Sequence, residues 1–122
     1  MVLKTYDLTL WLLERTASFS RAHRHTLGTR IESAALEALE TLVEASYSRE
    51  KVPLLDVANR RLQSLRYLLR LAQDLKLLAT SQYEFASRSL HTIGTELGAW
   101  LKSARPIAYE ASQEPLPADT LI

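Results

Sequence analysis

Between residues 54 and 78 apolar side chains recur at 54, 58, 62, 65, 69 and 72, a spacing of three and four that turns into one continuous face only on an α-helix. At about 100° of rotation per residue, Leu62, Leu65, Leu68, Leu69, Ala72 and Leu75 share a broad arc. Arg66 and Arg70 stack one turn apart on the opposite side. Like charges at that spacing repel by roughly a few tenths of a kcal/mol in an isolated helix, so an anionic partner or plain solvation must offset the pair. Arg61 falls inside the apolar arc, which places it at a subunit seam against an acid of the second helix.

The rest of the chain repeats the helical pattern. Three glycines, four prolines and no sustained alternation leave little room for strands. A first helix is expected from about residue 5 or 7 to 18, with Leu8, Leu10, Trp11, Leu12, Leu13 and Ala17 making it apolar around most of its circumference and well buried. Residues 19–28 read as a connection. The second helix starts near residues 27–29, where Thr29 and Glu32 match a capping box, and passes through Ile31, Ala35, Ala38, Leu42 and Ala45. Pro53 suits the first turn of the third helix, which is expected to reach about Leu78. Thr80 or Ser81 caps the fourth, in which Ala86, Leu90, Ile93, Leu97 and Leu101 repeat as a bundle seam does.

Four amphipathic helices with short connections define an all-α, antiparallel up-down four-helix bundle over residues 1–105. Residues 106–122, with three prolines, three acids and no base, are expected to form a disordered tail. Leu71 and Leu78 lie off the main stripe of the third helix, and the first helix is also apolar beyond one arc. A second stripe on a small bundle meets another subunit, so a homo-oligomer is expected. The alternative is scattered surface leucines. Gly94 and Gly98, one turn apart in the fourth helix, predict a close approach of a neighbouring backbone.

Charge narrows the function. The net charge is only +1, but the 15 bases and 14 acids are distributed in blocks. Arg15, Arg21, Arg24 and Arg30 occur with no acid between residues 15 and 30, and Glu32, Glu37, Glu40 and Glu44 follow with no base. Three of the acids are in the tail, so the body carries 15 bases against 11 acids. Faces of opposite potential follow.

The absence of cysteine removes disulfides and thiolate metal sites and fits a reducing cytosol. No apolar run approaches the roughly 20 residues of a bilayer span, and the start lacks the shape of a signal peptide, so a cytoplasmic protein without membrane association is expected. There is no phosphate loop, no nucleophile with an ordered base and no Glu-x-x-His pair. The pattern thus gives no reason to expect catalysis, a cofactor or a small-molecule substrate. His23 and His25 are flanked by arginines, which oppose a bound cation, so no metal is expected and a polar loop, or a phosphate contact at the loop and the following helix start, is favoured.

The candidate binding residues are therefore Arg60, Arg66 and Arg70 with Arg15, Arg21, Arg24 and Arg30, which can contact phosphates without reading bases. Tyr67, between two of them, can stack on a base. The competing reading is a solvated basic face neutralised by local pairs such as Asp56 with Arg60 and Arg70 with Asp74.

Residues 5–15 (Thr5-Tyr6-Asp7-Leu8-Thr9-Leu10-Trp11-Leu12-Leu13-Glu14-Arg15), Leu65-Arg66-Tyr67-Leu68-Leu69-Arg70-Leu71-Ala72, Ser81-Gln82-Tyr83-Glu84 and residues 93–101 (Ile93-Gly94-Thr95-Glu96-Leu97-Gly98-Ala99-Trp100-Leu101) give the chain a family likeness. Over about residues 4–104 it resembles the accessory variability determinant (Avd) proteins of diversity-generating retroelements. The resemblance implies a four-helix protomer in a homopentameric barrel with a basic surface. It also implies a non-catalytic accessory subunit that binds the reverse transcriptase and RNA or DNA during mutagenic retrohoming. The family's Leu-Arg-aromatic-x-Leu-Arg motif falls on Arg66 and Arg70. Bundle proteins encoded by intervening sequences in ribosomal RNA genes are the nearest alternative, but they resemble this chain less, carrying Gly-Ser and acids where it has arginines. A structural scaffold without nucleic-acid affinity is the other. The near-neutral charge departs from the family's basic character, and five copies of a modest patch would compensate through avidity.

Overall fold

The computed structural model describes residues 1–105; the proposed tail at 106–122 lies outside the described residues. Four long helices carry the structure: α1 (Val2–Thr16), α2 (Thr29–Tyr47), α3 (Lys51–Asp74) and α4 (Thr80–Ala104). No strand occurs among the described residues. Cross-helix contacts run in opposite directions along each neighbouring pair. Thr16 meets Glu32, Glu37 meets Arg61, Arg66 meets Leu90, and Asp56 meets Arg105, while α1 meets α4 through Lys4 with Glu96 and Trp11 with Phe85. The four helices form an antiparallel up-down bundle.

The core follows the periodicity. Leu55, Ala58, Leu62, Leu65, Leu69 and Ala72 of α3 are buried against Ile31, Ala35, Ala38, Leu42 and Ala45 of α2 and Ala86, Leu90, Ile93, Leu97 and Leu101 of α4. Alanines on the inner face of α2 let its neighbours come close. On α1 the buried face is narrower than expected: Leu8 and Leu12 are joined there by Thr5, Thr9 and Thr16, whereas Leu3, Tyr6 and Leu10 face outward. The threonines can be buried because their hydroxyls find acceptors. Thr9 donates to the Thr5 carbonyl at 2.7 Å and Thr16 to Glu32 at 2.6 Å.

Helix ends differ from expectation in instructive ways. The segment expected as a connection is itself helical: one turn at Arg21–His23 and a π-helical turn at Arg24–Gly28 run directly into α2, with Phe19 and Leu27 buried. Thr29 therefore has no N-cap role. Its hydroxyl donates back to the Arg24 carbonyl, and Glu32 accepts from Thr16 instead of closing a capping box. Helix α3 stops at Asp74, earlier than expected, because Lys76 adopts φ 62° and two amides turn back, Lys76 N–H to Gln73 and Leu77 N–H to Ala72, each at 2.8 Å. This is the Schellman pattern with lysine where glycine is usual. The reversal folds Leu78 into the core, so it is not part of a second stripe with the exposed Leu71. Helix α4 starts after Ala79, whose amide donates to the Gln82 side chain at 2.9 Å; Thr80 is its first helical residue.

No described helix is long and apolar enough to cross a membrane.

Candidate functional site

Arg66 and Arg70 leave the same side of α3 and line a groove of about 230 Å³ between α3 and α4, together with Gln63, Tyr67, Tyr83 and Ser87. The two arginines are not equivalent. Arg70 is exposed, while Arg66, expected to point away into solvent, is half-buried and laid across α4. Its Nη2 donates to the Leu90 carbonyl at 3.1 Å. That carbonyl already accepts the helical bond of the residue four positions on, Gly94.

Gly94 leaves room for the contact. A Cβ there would sit 3.1 Å from Arg66 Nη2. The glycine weakens α4 by about 1 kcal/mol relative to alanine and gives that space to a guanidinium. The close neighbour is thus a side chain and not the backbone that the glycine spacing suggested. Gly98, its apparent twin, has no neighbour within 4 Å of such a Cβ.

The pairs that would neutralise the basic face do not form. Among the described residues neither Arg66 nor Arg70 has a carboxylate within ion-pair distance, and Asp56 pairs with Arg105 at 3.2 Å and not with Arg60. Two like charges one turn apart therefore persist, one of them fixed in place. Arg61 does find an acid of α2, Glu37 at 2.8 Å, but within the same chain and with both side chains about half-exposed, so the pair itself gives no sign of a subunit seam.

Around Tyr67 a second groove, between α2 and α3, is lined by Arg30, Glu37, Arg61 and Ser64. Tyr67 belongs to both grooves, so Arg30 joins Arg66 and Arg70 around one ring. Arg60 is exposed two turns before Tyr67 on the same face of α3. Arg15 lies elsewhere. Its guanidinium is 5.5 Å from the centre of the Trp11 ring, which packs on Phe85 at 4.9 Å, on the α1 side of α4. Arg21 and Arg24 are exposed in the helical connection and line neither groove. The seven arginines thus divide: four surround the α3 face, and three belong to the far end of α1 and its connection. Sequence reading missed Tyr83, whose position four residues before Ser87 and seven before Leu90 puts it on the α3 side of α4.

Such a site can hold an anion and offer flat rings, and it presents no nucleophile aligned with a base. Fold and site together define a small helical bundle with a basic, tyrosine-lined groove between α3 and α4. A family model described as bAvd-like matches residues 1–104, and the chain belongs to that family. No curated protein matches the chain.

Proposed function

We propose that the protein is a non-catalytic accessory subunit of a diversity-generating retroelement, acting in the cytoplasm and binding the element's reverse transcriptase and its RNA or DNA through the Arg66 and Arg70 face of α3. One observation carries the reading beyond family membership. The two arginines lie one turn apart without a carboxylate partner, in a groove, with one guanidinium held in position by Leu90. An unneutralised pair is costly in isolation and favourable beside phosphates or an acidic protein surface.

Self-association completes the proposal. Leu3, Tyr6 and Leu10 recur on the outer face of α1 at 75%, 53% and 50% exposure, an apolar row that a second copy would cover. The pentamer implied by the family would repeat the arginine groove five times, which supports binding by a chain of net charge +1. Arg66→Ala combined with Arg70→Ala should remove or sharply weaken co-purification with the cognate reverse transcriptase or its RNA while the oligomer mass stays unchanged. Undiminished association would rule out this face as the contact.

A further inference from the structure

The groove between α3 and α4 holds more than charge. Tyr67 from α3 and Tyr83 from α4 line it beside the two guanidinium groups. Tyr67 is 74% exposed, Tyr83 is half-buried against the core while still lining the groove, and among the described residues neither ring stacks on another aromatic. A phosphate-only site has no use for an aromatic side chain left in water.

Duplex nucleic acid would present its phosphates here but keep its bases stacked away from the rings, whereas a single strand offers both phosphates and base faces. The groove volume of about 230 Å³ lies below the roughly 300–1,000 Å³ of sites that enclose a small molecule. A planar ring entering from a backbone that stays outside suits it better. Arg66 is prepared for this role: the Leu90 carbonyl takes one of its N–H donors and fixes the charge before any strand arrives, which reduces the ordering needed on binding.

We infer, building on the nucleic-acid reading above, that this groove is a single-strand-selective subsite in which Arg66 and Arg70 hold phosphates and the Tyr67 and Tyr83 rings stack on bases. Gln63, with two donors and an acceptor, also lines the groove and can pair with a base edge.

Fluorescence anisotropy with the full chain on oligouridylate, oligothymidylate and a blunt RNA duplex tests this. Both single strands should bind more tightly than the duplex. Tyr67→Ala and Tyr83→Ala should each weaken single-strand binding by roughly 5- to 150-fold, the loss of about one stacked base. Tyr67→Phe should stay within about twofold of the parent, because the ring and not the hydroxyl is used. Tyr67 is exposed, so its substitution leaves the core intact if Tyr83→Ala fails to fold. Equal binding of duplex and single strands, or an unchanged affinity in Tyr67→Ala, overturns the inference and leaves the nucleic-acid reading standing. Lost reverse-transcriptase association with unchanged RNA affinity assigns the groove to protein, and a changed oligomer mass in Tyr67→Ala assigns the ring to self-association; either overturns it. No binding to any of the three probes at low salt overturns both the inference and the reading on which it rests.

Discussion

Gly94 and Gly98 occupy equivalent places in the sequence of α4, and their surroundings make them opposite cases. Gly98→Ala should stabilise the fold by about 1 kcal/mol in urea unfolding, since a methyl group there meets nothing and the helix gains propensity. Gly94→Ala should gain less, because the new methyl lies 3.1 Å from Arg66 Nη2 and the guanidinium must give way. Glu96 offers a second test at this scale. The hydrogen bond from Lys4 at 2.7 Å holds its carboxyl below the ordinary value of 4.5, with the Lys4 and Met1 ammonium charges adding to the effect and partial desolvation opposing it. A depressed folded-state pKa means that the stabilisation is present above the ordinary carboxylate range and is lost as pH falls through the lowered value. NMR titration of the Glu96 carboxyl should show a midpoint below 4.5 that rises toward it in Lys4→Ala.

The helix ends are where the elements can be improved, and also where the sequence was hardest to read. Lys76 accepts a left-handed conformation to close the Schellman turn, so Lys76→Gly should raise the stability by about 1 kcal/mol. Ala79 occupies the N-cap of α4 with no side-chain oxygen, and Ala79→Ser should add about 1 kcal/mol by satisfying a free amide of the first turn. Thermal unfolding of the two variants checks both. A cap signal such as Thr29 with Glu32 reads as a helix start only if the chain arrives non-helical, and here a π-turn brings it in already coiled. The core faces of α2, α3 and α4 were legible because burial there repeats at the helical period over many turns. The outward turn of Leu10 and the burial of Thr5, Thr9 and Thr16 were not, because hydropathy carries no information about which carbonyl a threonine can reach.

At the scale of the molecule, the α3 arginine pair was legible as an unexplained repulsion, whereas its setting depended on α4. Leu90, Gly94 and Tyr83 are 13 to 28 residues away from Arg66 and Arg70 in sequence and become neighbours only through the antiparallel α3–α4 packing. Arg15, Arg21 and Arg24 looked equally promising by charge and fall outside the groove, because a block of like charge in sequence spreads around a helical connection in space. Phosphate binding by the α3 face through Arg66 and Arg70 is tested by the salt dependence of nucleic-acid affinity for the full chain and for Arg70→Ala, an exposed position whose loss leaves the fold intact. The logarithm of affinity should fall steeply with the logarithm of salt concentration for the parent, and removing Arg70 should flatten that slope by about one for each groove engaged. A slope that is the same with and without Arg70 would contradict the claim.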